Sequence, residues 1–299
     1  MVLERKLFKK LLIDWKNFCN KRLCEQTIPP EMGKNDGKIP PLNNRLSEES
    51  RIDNLVEKLS LEISLRTQRQ IDIALLHQKV FPQFKGINTN KDVILVATGP
   101  SSSRFKTSKF GEAVYVGVNK AYLLKEIKFD YLFAIDRVSL EGCFEDFFSY
   151  DCIKFIGDQN LGFFHQIPEN YLNRKDIFRY KTTANLLPDI FSQDLDSVPL
   201  ANSCSVAIQA MQFILYTNPK RIFIVGNDCT VSEPSHFYKE SGLFFECLKN
   251  RNEDLIENEK NLIQSWQAIK IFANNYYPLT KIVSVNPVKL AGLFEDVYL

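Results

Sequence analysis

The densest set of groups suited to holding an anion lies in twelve residues, Asp92 to Ser103 (DVILVATGPSSS). Five apolar residues, Val93 to Ala97, run into Thr98-Gly99-Pro100 and then Ser101, Ser102 and Ser103. Gly99 has no Cβ and admits close backbone approach. The serines add hydroxyls, and the free N–H groups of any helix starting there face the same spot. Such a loop suits a phosphate or a nucleotide. Small or polar residues also close five further apolar runs: Asn119 after 113–118, Asp136-Arg137 after 130–135, Gly157-Asp158 after 153–156, Gly226-Asn227-Asp228 after 221–225, and Asn286-Pro287 after 281–285. An asparagine side chain both donates to and accepts from a sugar or a base edge. Asp136 and Asp228, brought together, form a pair able to hold Mg²⁺ and a diphosphate. Asn202 and Ser203 precede an apolar helical stretch, where they suit a helix N-cap and a second anion or ribose contact.

The three histidines, His77, His165 and His236, are far apart and share no metal-ligand spacing with cysteines or acids. His77 sits in a helical pattern and reads as structural or surface. His165 follows Phe163-Phe164 in a loop-like stretch. His236 lies in Pro234-Ser235-His236-Phe237-Tyr238, and an imidazole's ordinary pKa suits proton abstraction near neutral pH. The seven cysteines form no CxxC pair, which fits reduced thiols in a cytosolic protein.

Strands predicted at 93–97, 113–118, 130–135, 153–156, 221–225 and 281–285 carry these residues, with helices at 204–216 and 261–275. Short apolar strands alternating with helices indicate an α/β, Rossmann-like fold, a mostly parallel sheet with helices on both faces. In such sheets ligands collect at the C-terminal strand ends. Ahead of it, Ile52, Leu55, Val56, Leu59 and Ile63 recur at helical spacing, with Ser47 as cap; Ile71, Leu75 and Leu76 continue the pattern to about His77. The expected organisation is a helical N-terminal region, 1–90, with a polar linker at 25–46, followed by a nucleotide-binding domain over 91–299.

Residues 1–24 carry Arg5, Lys6, Lys9, Lys10, Lys16, Lys21 and Arg22 against Glu4 and Asp14, while Phe8, Leu11, Leu12, Trp15, Cys19 and Leu23 recur at helical spacing. A basic amphipathic helix of this kind suits peripheral contact with an anionic membrane surface, such as the cytoplasmic face of an inner membrane. The whole chain of 299 residues has a formal charge of only +2, which gives no indication of nucleic acid as a partner. No apolar run approaches the length of a membrane-spanning helix and no secretory signal is visible, so the expected location is cytoplasmic. Hydrophobic content of 44% supports a sizeable core.

The ordered set Thr98-Gly99-Pro100-Ser101, Gly117-Val118-Asn119, Asn202-Ser203-Cys204, Gly226-Asn227-Asp228 and Asn286-Pro287-Val288 resembles the bacterial sialyltransferases of glycosyltransferase family 42, and the related flagellin-glycosylation and pterin-pyrophosphokinase-like domains. The resemblance covers about residues 92 to 294. It implies a Rossmann-like domain that binds a nucleotide sugar, typically a CMP-sugar, with no metal and no further cofactor. Gly99 to Ser101, Asn119 and Ser203 would hold nucleotide and sugar. Family members use a histidine as general base on the acceptor hydroxyl and tyrosines to stabilise the leaving phosphate. The matching stretch here, Asn258 to Ile263, has no histidine, so His236 becomes the candidate base and Tyr238 the phosphate-facing group. The leading glycine of the family loop is replaced by Ala97. The implied activity is transfer of a sugar, such as sialic acid or a related acidic sugar, to a bacterial surface glycan, a lipid-linked or a flagellar acceptor, as in lipopolysaccharide biosynthesis. The alternatives are a Mg²⁺-dependent diphosphate transfer using Asp136 and Asp228, and a non-catalytic nucleotide-binding module.

Overall fold

The computed structural model describes residues 42–135, 138–140, 142–158, 167, 169–172, 174–183, 191–203, 205–230, 236–238 and 252–299. The expected basic helix at 1–24, the first part of the linker, Asp136, Arg137 and His165 lie outside the described residues. The chain divides into two compact units, the second of which, Glu62–Leu299, contains the sheet.

Eight strands form that sheet: β1 (Asp92–Val96), β2 (Val114–Val118), β3 (Tyr131–Ala134), β4 (Ile153–Asp158), β5 (Ile177–Lys181), β6 (Arg221–Val225), β7 (Lys281–Val285) and β8 (Glu295–Val297). Their order is β5-β4-β3-β2-β1-β6-β7-β8, and every pairing is parallel. From β1 the chain builds outward to β5, then returns to place β6 against the other side of β1. The order therefore reverses between β1 and β6, the position where open α/β sheets bind ligands.

Successive residues of a strand face opposite sides, and the sheet has a core on each side. Val93, Leu95, Val116, Phe133, Phe155 and Ile224 belong to one. Ile94, Val96, Leu132, Ala134, Ile156 and Val225 belong to the other. The first side is covered by α4 (Val206–Tyr216) and α5 (Asn252–Tyr276). Every residue of α4 is buried, as its nearly all-apolar sequence requires. On the second side lie α2 (Phe144–Ser149) and the short α3 (Glu169–Leu172).

Helix α1 (Leu42–Val80) is 39 residues long. It starts within the expected linker, so Ser47 is a helical residue and not a cap. Its buried stripe also differs from the one expected. Leu55, Ile63, Ile71 and Leu75 are exposed, whereas Ile73, His77 and Val80, with Phe81 just beyond, are buried. These four fall at i, i+4, i+7 and i+8, one face of the last turns. Phe81 and Phe84 then enter the first core, where Phe84 meets Phe155, Phe178, Phe213 and Tyr131 edge-on at 5.2 to 6.0 Å. Edge-to-face pairing of this kind adds to the burial of each ring.

Candidate functional site at the β1 and β6 strand ends

Past β1 and β6 the two chains cross closely. Gly99 N donates to Gly226 O at 2.7 Å. A Cβ on Gly99 would lie 2.5 Å from Gly226 O and 2.7 Å from Asp228 Oδ2. Gly226 has a φ of +67°, and a Cβ there would lie 2.6 Å from Ala97 O. Only residues without a Cβ allow this approach. Asp228 fastens the crossing. Its carboxylate, 5% exposed, accepts from Ser101 N at 2.8 Å through Oδ2 and from Ser101 Oγ through Oδ1.

This changes the reading of the Thr98–Ser103 loop as an anion cradle. Ser102 N and Oγ both donate to Gly99 O, at 3.0 and 2.7 Å. Ser103 Oγ donates to Pro100 O at 2.8 Å. Gly99 N and both Ser101 donors are engaged as well, so most of the loop's donors are satisfied within the fold. Pro100–Arg104 forms only a short 3₁₀ turn, so no α-helix N-terminus supplies further donors. Ser101, Ser102 and Asp228 thus form a structural clasp, with these donors turned into the fold.

Phe237 N donates to Thr98 O at 2.9 Å, and Thr98 Oγ1 lies 3.0 Å from His236 Nδ1. The structure thus brings His236 to the end of β1, although the two residues are 138 apart in sequence. With the proton on Nδ1, the imidazole donates to Thr98 and the basic lone pair sits on Nε2. Tyr238 stacks on His236 with ring centroids 5.0 Å apart and planes 13° apart. The ammonium of Lys120 lies 5.1 Å from the centre of the Tyr238 ring, within cation–π range. Lys120 follows Asn119, which turns the chain out of β2 with a φ of +48°. Asn119 Oδ1 accepts from Ser139 Oγ at 3.1 Å; its NH₂ group has no partner among the described residues.

Asn202 is buried, and its Oδ1 accepts from Gln209 Nε2 at 3.0 Å while Gln209 Oε1 accepts from Tyr180 at 2.6 Å. The cap of α4 is Ser205, whose side chain accepts from Ala207 N at 3.2 Å. Neither Asn202 nor Ser203 caps, because the helix starts after Ser205, two residues beyond Ser203, which has a φ of +45°. Ser203 Oγ is buried without a hydrogen-bond partner among the described residues. Asn286 Oδ1 accepts from Leu299 N at 2.9 Å and its backbone N–H donates to Val297 O, tying the β7 end to β8 and the residues after it. Asn227, Asp228, Ser284, Asn286, Pro287 and Leu290 line a small pocket between the β6 and β7 ends. Burial, reinforced by the Asp228 carboxylate, pushes the thiol of Cys229, next to the clasp, up to about 12.

His77 sits at the end of the edge strand β5, four strands from β1. It is fully buried, with Nδ1 3.1 Å from Leu195 O and Nε2 accepting from Lys181 N at 2.9 Å. Burial lowers its pKa to about 4. A neutral imidazole with its proton on Nδ1 satisfies both bonds, so the residue is a structural clamp. Sequence reasoning missed Lys120 and Ser205. The signal for Lys120 was its place directly after the strand-end Asn119, and for Ser205 its place directly before the apolar helical run.

Among the described residues no group of three or more His, Cys, Asp or Glu is placed to hold a metal ion, and no helix is long and apolar enough to cross a membrane. No family model matches the chain, and no curated protein matches it. The chain is similar in fold to solved structures of the sialyltransferase CstII from Campylobacter jejuni. In the complex with the substrate analogue CMP-3FNeuAc the identity is 18%, with 69% of this chain and 85% of that one covered and a TM-score of 0.42. In the complex with cytidine-5'-monophosphate the values are 16%, 66%, 80% and 0.39. For the sialyltransferase CST-II with a trisaccharide acceptor and CMP they are 17%, 65%, 80% and 0.39.

Proposed function

We propose that the chain is a glycosyltransferase that moves a sugar from a nucleotide donor to an acceptor hydroxyl. The observation that carries this reading is the His236 ring held by Thr98 at the switch point of the sheet. A general base in that position serves a nucleotide sugar laid across the strand ends. The acceptor oxygen attacks the anomeric carbon and His236 Nε2 takes its proton. The bond from that carbon to the phosphate oxygen breaks, and its electron pair leaves with the nucleotide. Tyr238 then donates a hydrogen bond to the leaving phosphate. Positioning and stabilisation of the leaving group supply most of the acceleration in such a step, with proton abstraction adding about 10²–10⁴-fold.

The ordered motifs between residues 92 and 294 support a CMP-sugar as donor and an acidic sugar, such as sialic acid, as the group moved. The acceptor in this reading is a bacterial surface glycan, lipid-linked or flagellar. The basic amphipathic residues 1–24 would bring the enzyme to the cytoplasmic face of the inner membrane. The Mg²⁺-dependent diphosphate reading is weakened by one observation: both oxygens of Asp228 are engaged by Ser101, so the carboxylate is turned into the fold.

Thermal unfolding of the full chain with CMP-, UDP- and GDP-sugars tests the donor class. A ligand at about 100 times its Kd stabilises by about 2.7 kcal/mol, which raises Tm by roughly 5–10 °C for a unit of this size. A shift with CMP-sugars alone is expected. No shift with any nucleotide sugar would refute the reading.

A further inference from the structure

We infer that Lys120 is the cation that receives the donor's phosphate, and so makes this transferase selective for the charged nucleotide over the nucleoside. The inference rests on the proposed site and assigns its phosphate contact. Four observations carry it. First, in the strand-end loop that a phosphate would ordinarily use, Gly99 N, the N–H and hydroxyl of Ser101 and of Ser102, and Ser103 Oγ are all engaged within the fold. Second, the Asp228 carboxylate is buried within that loop, so a phosphate above it meets a like charge and requires a compensating cation. Third, Lys120 is joined to the candidate base by an unbroken series of contacts: Nζ at 5.1 Å from the Tyr238 ring, Tyr238 stacked on His236 at 5.0 Å, and His236 on Thr98 at 3.0 Å. Fourth, Lys120 forms no ion pair with a carboxylate among the described residues, and the NH₂ of its neighbour Asn119 is open there too.

Lys120, its neighbour Asn119 and the Tyr238 ring thus lie near the ends of β1 and β2, and their side chains carry an ammonium, an amide and a phenol. All three are donors, and a phosphate is the acceptor that matches them. A lysine ammonium serves a phosphate as a compact point charge. In the transfer step it neutralises the negative charge that grows on the leaving phosphate oxygen, where a fixed cation acts more strongly than in water. The cation–π contact keeps Nζ over the Tyr238 ring until the donor arrives.

The test is calorimetric titration of the full chain, its Lys120→Met variant and its Lys120→Arg variant. CMP, UMP, GMP and the three corresponding nucleosides serve as probes. The expected result is that Lys120→Met weakens the preferred nucleoside monophosphate by about 10- to 100-fold, the range for loss of one charge-assisted contact. Its nucleoside should bind as in the wild type, and Lys120→Arg should retain most of the monophosphate affinity. An unchanged monophosphate affinity in Lys120→Met overturns the inference alone. So does an equal loss for nucleotide and nucleoside, because that is the signature of a residue that only props Tyr238. A wild-type chain that binds none of the monophosphates overturns the proposed site and this inference with it.

Discussion

Replacing Asp228 with alanine is the most informative perturbation of the fold beneath the site. The carboxylate is 5% exposed and accepts two hydrogen bonds, from Ser101 N and Ser101 Oγ. Hydrogen bonds to a charged group contribute about 1.5–3 kcal/mol each. Losing both, with Ser101 N left buried and unsatisfied, should cost about 3–6 kcal/mol. That is a large share of the roughly 5–15 kcal/mol that holds a typical domain folded. In urea, with a slope of about 1–3 kcal/mol per molar, the midpoint should fall by at least about 1 M. Ser101→Ala removes the hydroxyl bond but keeps the backbone one, so it should cost about half as much. The double variant should cost less than the sum of the singles, because both remove the same bond. Asp228→Asn, which keeps an acceptor for Ser101 N, should be milder than Asp228→Ala. A loss below about 1 kcal/mol for Asp228→Ala, or strict additivity with Ser101→Ala, would refute the clasp.

Other outcomes follow from single contacts. His77, with its pKa lowered to about 4 in the folded chain, binds fewer protons folded than unfolded between about pH 4 and its ordinary value near 6.5. Its contribution is fully present above about pH 6.5, shrinks as pH falls, and by about pH 4 has cost roughly 3 kcal/mol; urea midpoints across that window should flatten in His77→Gln, and an unchanged slope would contradict the clamp. Ser205→Ala should destabilise by about 0.5–2 kcal/mol through loss of the α4 cap, whereas Asn202→Ala and Ser203→Ala should not act through capping; equal helix fraying in all three by hydrogen exchange would overturn that assignment. Gly226→Ala should cost about 1–3 kcal/mol or more, because a Cβ there meets Ala97 O at 2.6 Å and the φ is +67°; a neutral effect on Tm would contradict the crossing geometry.

The central strands were legible because their residues face two cores. β6 and β7 fall at the expected 221–225 and 281–285, and β1 to β4 within one or two residues of the expected limits. The strands that went unseen are both edges. β5 (IFRYK) interrupts its apolar residues with Arg179 and Lys181, and β8 (EDV) is three residues long with two acids. An edge strand has one neighbour and less burial, so its sequence carries less apolar signal. The α1 stripe misled for a related reason: Leu55, Ile63, Ile71 and Leu75 keep helical spacing but lie exposed, while a histidine supplies part of the buried face.

For the site, the residue types at the strand ends were legible because parallel topology places every such end on one edge of the sheet. Which donors face outward was not, since that depends on pairs remote in sequence. Ser101 and Asp228 stand 127 residues apart, and their mutual hydrogen bonds turn a recognisable phosphate loop into a structural clasp. A similarly long separation in sequence hid the approach of Lys120 to Tyr238, which neither strand-end composition nor spacing encodes.

The most direct test of the account is the release of nucleoside monophosphate from a CMP-sugar by the full chain, with a glycan acceptor present, compared with His236→Ala. The account predicts steady release by the wild type and a rate at least about 100-fold lower in the variant, with CMP binding unchanged. Equal rates in the two proteins would contradict it.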